Sequence, residues 1–129
     1  MDTSAWLALN DKSDQYHKKA ISKREKITQQ KIKLITSEYV MDETLTLIRY
    51  RVSHPAAVIF GESLFNSNIV KINDIAKEDI LKAWDFFKKY KDKEFSFTDC
   101  TSFTLMQKLG LSKAFTFDKH FKQIGMEII

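Results

Sequence analysis

A chain of 129 residues is long enough to bury one core and too short for several. With 43% hydrophobic and 12% aromatic residues it is expected to fold, and three Gly with one Pro are too few for a turn-rich all-β architecture. The formal charge of +4 is compatible with a polyanionic partner, and the single cysteine, Cys100, excludes an internal disulfide. With no basic-then-apolar leader and no apolar run of the ~20 residues that span a bilayer, the chain reads as cytoplasmic.

In chain order, Ser4 to Leu9 is expected to form a short helix after Asp2. Ser13 to about Gln30 is a longer polar helix whose apolar residues Tyr16, Ala20 and Ile27 share a narrow stripe. Lys33 to Thr36 is a short strand. Ser37 is the N-cap of a helix over Glu38 to Arg51, and Pro55, favoured in a first turn, opens another that runs to Phe65. Ile69 to Ile72 is the next strand. Asn73 or Asp74 caps a helix reaching Tyr90, with Ile80, Leu81, Trp84 and Phe87 at helical spacing and Trp84 and Phe87 assigned to the core. A helix over Thr98 to Leu109 stops at Gly110. A strand at Ala114 to Phe117, a short helix at Lys119 to Gln123 and a last strand at Met126 to Ile129 complete the chain. Short β-branched and aromatic runs alternating with helices predict an α/β fold with a mainly parallel sheet, and such folds gather ligands at the carboxyl ends of their strands.

Most of the seventeen acidic residues belong in water, but four have unusual settings. Glu43 lies one turn from both Val40 and Leu47, so it flanks the apolar side of its helix, while Asp42, rotated by about 100°, points to the polar side. Asp99 shares a helix side with Phe103 and Met106. Asp118 follows Ala114-Phe115-Thr116-Phe117, where a buried strand would emerge, and Asp2 opens the first helix. Each has an ordinary reading too: a solvated edge carboxylate for Glu43, helix-dipole complementarity for Asp99, and caps for Asp118 and Asp2. Should they converge, their repulsion must be offset by protonation or by a divalent cation, and an oxygen cage suits Mg²⁺ or Mn²⁺. His17, His54, His120 and Cys100 lack the spacing of a zinc site.

The runs around these acids resemble the PIN-domain family. Asp2-Thr3-Ser4-Ala5-Trp6 is similar to its opening motif, and Tyr39-Val40-Met41-Asp42-Glu43-Thr44-Leu45 to the helix that bears its Glu. Phe95-Ser96-Phe97-Thr98-Asp99-Cys100 and Phe115-Thr116-Phe117-Asp118-Lys119-His120-Phe121 resemble the segments with the third and fourth acids. The four acids come in family order, 41, 56 and 19 residues apart. Within the family the chain most resembles the VapC-like toxins of bacterial and archaeal toxin–antitoxin pairs.

The resemblance implies one PIN-like domain over residues 1–129, a three-layer α/β/α arrangement around a mainly parallel sheet of about 4–5 short strands. It implies a metal-dependent endoribonuclease in which Asp2, Glu43, Asp99 and Asp118 hold one or two Mg²⁺ or Mn²⁺ ions. Activated water would attack an RNA phosphodiester in line and leave 5′-phosphate and 3′-hydroxyl ends. Thr3, Ser4 or Thr98 would orient an acid or a water from behind, with helix capping as their ordinary role. It further implies a small antitoxin over the site and a homodimer. One departure stands out: family members carry several apolar residues before the first Asp, forming the central first strand, whereas only Met1 precedes Asp2 here. Either the first strand is mostly missing or the chain is a shortened version of a longer product.

Arg49, Arg51, Lys93, Lys119 and His120 are candidates for contacting RNA because they lie close in sequence to the motifs. Lys12, Lys18, Lys19, Lys23, Arg24, Lys26, Lys31 and Lys33 face only Asp14 and Glu25 in the same stretch, which suits a phosphate backbone or, more ordinarily, a solvated face. Trp6, Tyr16 and Phe121 offer base-stacking surfaces, although core packing is the stronger expectation for most aromatics. A second functional reading is a PIN fold that is catalytically weak or inactive and binds RNA or protein. A response receiver and an aspartyl phosphatase fit poorly, because the mid-chain strands end in Ser37 and Asn73-Asp74 and the opening run lacks an Asp-x-Asp pair.

Overall fold

The computed structural model describes all residues, 1–129. Seven helices and four short strands alternate: α1 (Thr3–Asn10), α2 (His17–Gln29), β1 (Leu34–Ser37), α3 (Glu38–Arg51), α4 (His54–Phe65), β2 (Val70–Asn73), α5 (Lys77–Lys89), α6 (Phe97–Lys108), β3 (Lys113–Ala114), α7 (His120–Gln123) and β4 (Glu127–Ile128). Local chemistry sets most boundaries. Ser37 caps α3 through the Val40 N–H, and Ser53 caps α4, where Pro55 occupies the first turn. Gly110, at φ 64°, closes α6 with paired bonds from Leu111 N–H to the Met106 carbonyl and from its own N–H to Gln107. Lys31, at φ 54°, closes α2 with the same pair of bonds despite its side chain.

Two helix starts differ from expectation. Helix α2 begins at His17 instead of Ser13, because Asp11 accepts from Ser13 and Asp14 from the Tyr16 N–H, which holds that stretch in turns. Helix α5 begins after Ala76, with no side-chain cap, instead of at Asn73 or Asp74. Asn73 belongs to β2, and the Ile75 N–H is taken by the Glu38 carboxylate at the head of α3, so the chain stays extended for three more residues.

The strands form two parallel pairs, β1 with β2 and β3 with β4. Met1 and Asp2 join the pairs: the Met1 amine donates to the Ile35 carbonyl on β1, and the Asp2 N–H to the Phe115 carbonyl just beyond β3 at 3.1 Å. The expected central sheet is thus present as four short strands with a two-residue bridge at its centre. The Ala114–Phe117 strand contracts to Lys113–Ala114 because β4 is only two residues long and the bridge pairs with Phe115 alone.

Alternation along β3 separates two faces. Ala114 packs with Ala83, Phe95, Cys100, Phe103, Met106 and Phe121 of the α5–α6–α7 side, and Phe115 with Ala5, Ala8, Ala20, Ile27 and Leu34 of the α1–α2 side. A third cluster, Leu7, Ile48, Ala57, Phe60 and Leu64, ties α1 to α3 and α4. The three-layer expectation is met, and so is the Ala20–Ile27 stripe of α2.

The expected core face of α5 is corrected. Its inward residues are Asp79, Ala83 and Phe86, whereas Leu81, Trp84 and Phe87 are 58%, 48% and 41% exposed. Packing on α6 sets this rotation: buried Asp79 pairs with Lys108 at 2.6 Å, and the Phe86 and Phe103 rings lie 6.0 Å apart. Phe103 is fully buried and also meets Phe95 and Phe121, each at 5.1 Å edge-on. Phe103→Ala is expected to lower stability by about 3–5 kcal/mol, read as a shift of the urea midpoint with an unchanged slope.

Candidate active site

The first turn of α1 and the segment after β3 are laced together. Asp2 caps α1, its Oδ2 accepting from the Ser4 N–H at 3.2 Å, the Ser4 hydroxyl at 2.8 Å and the Thr116 hydroxyl at 3.0 Å. Ser4 Oγ also lies 3.0 Å from Thr116 Oγ1 and accepts from the Phe117 N–H at 2.9 Å. Thr116 Oγ1 in turn accepts from the Asp118 N–H at 2.9 Å. One fully buried hydroxyl therefore sets the first and fourth acids relative to each other.

The other two acids arrive on helices. Glu43 is half-buried on α3 and accepts from the Thr3 hydroxyl at 2.6 Å through Oε2, while Asp42 is exposed, as helix geometry predicts. Asp99 and Ser96 form a capping box at the head of α6: the Ser96 N–H donates to Asp99 Oδ2 at 2.8 Å, and the Asp99 N–H to Ser96 Oγ at 3.0 Å. The His120 ring stands between two acids, with Nδ1 3.3 Å from Asp99 Oδ2 and 3.2 Å from Asp118 Oδ1, and its edge against Phe95. One ligand atom each from Asp99, Asp118 and His120 falls within 4.8 Å of the others. Thr116 links Asp2 to Asp118 of this trio, and Thr3, next to Asp2 in the chain, holds Glu43.

Each carboxylate thus uses one oxygen for the protein: Asp2 Oδ2, Glu43 Oε2, Asp99 Oδ2 and Asp118 Oδ1, the last accepting from the His120 N–H at 2.8 Å. The second oxygen of each has no hydrogen-bond donor from the protein. Electrostatics show the same convergence. Burial pushes Asp99 up to about 6 against the pull of its Ser96 bonds, and the charges of Asp2 and Asp118 push the same way. Glu43 is also raised, first by burial, with Asp2, Asp42 and Asp118 adding to it and the Thr3 bond opposing.

The structure clusters Asp99 and Asp118 with His120, ties Asp2 to the Asp118 segment through Thr116, and sets Glu43 where it feels the charges of Asp2 and Asp118; Thr3 holds Glu43 and Ser4 holds Asp2. Thr98 contributes its carbonyl to Thr101, and Ser96 is the residue that holds Asp99. His120 moves from the expected RNA rim to a place between the acids. Arg49 and Arg51 are exposed on the last turns of α3, Lys119 is exposed beside Asp118, and Lys93 pairs with Asp92 at 3.3 Å. Phe121 is core, Tyr16 stacks on Phe117 at 4.7 Å, and Trp6 packs edge-on to Phe60. Thr116 escaped sequence reasoning. The usable signal was its place between Phe115 and Phe117, which puts it on the opposite side of the extended run from both rings and two residues before Asp118.

Comparison with known proteins gives a consistent picture. The family model of the PIN domain matches residues 1–126. The chain is 34% identical over 125 residues to the 23S rRNA-specific endonuclease VapC20 of Mycobacterium tuberculosis strain H37Rv, covering 97% of this chain and 92% of that protein. The strain CDC 1551 protein of the same name matches equally. The crystal structure of Mycobacterium tuberculosis VapC20, described as a Sarcin-Ricin loop cleaving toxin, superposes with a TM-score of 0.86 at 32% identity, covering 97% of this chain and 93% of that one. The family match runs through all four acidic segments, and the chain belongs to the PIN-domain family as a VapC-like member.

Proposed function

We propose that this protein is a divalent-metal-dependent endoribonuclease, the toxin of a toxin–antitoxin pair, with Asp2, Glu43, Asp99 and Asp118 as its metal-holding and catalytic acids. The reading is supported by the clustering of Asp99, Asp118 and His120, by the charge coupling of Asp2 and Glu43 to that group, and by one oxygen of each carboxylate having no donor from the protein. Burial first, and then the charges of neighbouring acids, raise Asp99 and Glu43, and a hard cation would offset both. The donor set fits Mg²⁺ or Mn²⁺: oxygen predominates, with a single imidazole at its edge. Bound there, such a cation neutralises phosphate charge and acidifies water for attack on the phosphodiester.

The chain's own residues position this chemistry. Ser4 and Thr116 hold the Asp2 carboxylate, Thr3 aims Glu43, Ser96 aims Asp99, and the His120 ring spaces Asp99 from Asp118. Exposed Arg49, Arg51 and Lys119 supply cationic contacts for RNA approaching an acidic pocket. Likeness to an endonuclease named for 23S rRNA supports ribosomal RNA as the substrate class. No helix is long and apolar enough to cross a membrane. An antitoxin and a second copy of the chain are the proposed protein partners. The exposed apolar faces at Val58, Ile59 and Phe65 of α4 and at Leu81, Trp84 and Phe87 of α5 are where they would bury surface. A module that only binds would have no use for four acids with open oxygens.

Asp99→Asn is expected to lower Mn²⁺-dependent cleavage of RNA by at least about 100-fold while leaving the circular dichroism spectrum unchanged; equal cleavage by both proteins would remove the activity from this site. Thr116→Val, nearly the same shape, is expected to weaken Mn²⁺ binding by about 10–100-fold, read by calorimetric titration. In metal-free protein the raised Asp99 sets a pH dependence. Its unfolded form ionises near ~3.9 and its folded form at about 6, so stability is full at low pH and falls as pH climbs through that window. The loss is on the order of 2–3 kcal/mol. Denaturation midpoints between pH 4 and 7 should fall in the wild type, fall less in Asp99→Asn, and recover when Mn²⁺ is added.

A further inference from the structure

His120 brings a nitrogen donor into the acidic pocket, and the fold fixes its ring. Its backbone N–H donates to Asp118 Oδ1 at 2.8 Å, Phe95 packs against the ring edge-on with centroids 5.3 Å apart, and only 13% of the side chain is exposed. Nδ1 then lies 3.3 Å from Asp99 Oδ2 and 3.2 Å from Asp118 Oδ1. Hydrogen bonding explains this spacing poorly. Charge-assisted N–H···O bonds run about 2.7–2.9 Å, and one N–H cannot point along two directions at once. Each of the two oxygens accepts a backbone N–H at 2.8 Å, from Ser96 and from His120, and keeps one more lone pair. Neighbouring donors on an octahedral ion stand about 1.4 bond lengths apart, or about 3 Å for bonds near ~2.1 Å. Nδ1 is thus spaced from both oxygens as one ligand is from the next on a shared ion, and one donor atom of each residue lies within 4.8 Å of the others. No protein group bonds Nε2, so nothing pins the ring proton to Nδ1, whose lone pair is free to bind.

We propose that His120 is itself a metal ligand through Nδ1, sharing one ion with Asp99 and Asp118, and that this nitrogen makes the site prefer Mn²⁺ to Mg²⁺. The inference rests on the metal-dependent reading of this pocket and deepens it by a further ligand and a choice of ion. Carboxylates and water hold Mg²⁺ and Mn²⁺ alike, whereas imidazole suits transition metals, so of the two ions only Mn²⁺ gains from a nitrogen. Asp118 and His120, two residues apart, supply two of the three donors from a single turn, and the Ser96 N–H holds the third, Asp99. The carboxylate oxygens without protein donors are left for the rest of the coordination shell.

The test titrates Mn²⁺ and Mg²⁺ calorimetrically into the wild type, His120→Asn and Asp99→Asn, and records pulsed electron paramagnetic resonance of the Mn²⁺ forms. His120→Asn is expected to weaken Mn²⁺ binding by about 10–100-fold and Mg²⁺ binding by less than about 3-fold. A ring that only steadied the acids would weaken both ions alike. The wild-type Mn²⁺ spectrum should show a directly bound nitrogen, which moves to the ¹⁵N frequency in protein grown on ¹⁵N-histidine and disappears in His120→Asn. Because the label reports on the wild type, this result does not depend on how a variant folds. An unchanged Mn²⁺-to-Mg²⁺ affinity ratio in His120→Asn would overturn the proposal, and so would a wild-type Mn²⁺ site with no bound histidine nitrogen. In either case Mn²⁺ binding that is lost in Asp99→Asn would leave the acids standing as the metal site. A wild type that binds no Mn²⁺ would overturn this inference and the metal reading together.

Discussion

The Thr116 hydroxyl lies within hydrogen-bond reach of the Asp2 carboxylate, the Ser4 hydroxyl and the Asp118 N–H, and it does so with no access to solvent. These contacts span 114 residues of sequence and join the start of the chain to its last acidic segment. Buried hydrogen bonds of this kind are worth most when every member is satisfied, because losing one partner leaves the rest desolvated and unpaired. The same knot holds the two strand pairs together: Asp2 reaches Phe115 through its N–H and Thr116 through its carboxylate, while Met1 reaches Ile35. Sheet continuity and site geometry therefore depend on one small junction.

The helix caps and the site turn out to be the same structures. Asp2 caps α1, in line with its ordinary reading, and Asp99 completes the capping box of α6. Capping nevertheless occupies only one carboxylate oxygen in each case. The cap fixes the group in space, and burial beside other acids raises its cost in the charged form, as the upward shift of Asp99 shows. Stability is given up locally to keep like charges adjacent, the pattern expected where a protein breaks a general rule for the sake of function.

Helix α5 illustrates the limit of reading periodicity. Ile80, Leu81, Trp84 and Phe87 have helical spacing, but so do Asp79, Ala83 and Phe86, and the second stripe is the buried one. Ala83 permits close approach to α6, and the Asp79–Lys108 pair locks the rotation, which leaves Trp84 and Phe87 stacked at 5.7 Å on the outside. A composition-based preference for burying aromatics cannot anticipate this, since the choice of face belongs to the neighbouring helix.

What the sequence determined by itself was local or periodic. Caps at Ser37 and Gly110, the buried stripe of α2, the inward set of Glu43 against Asp42, and the four acids in their motif order were all legible, because each depends on residues within a turn or two. The tertiary structure decided the contacts between segments far apart. It drew His120 between two acids and made Thr116 a hub. It also made a two-residue bridge out of Met1 and Asp2. Strand pairing and side-chain convergence are non-local, so nothing in the neighbourhood of a residue specifies the partner that folding brings to it.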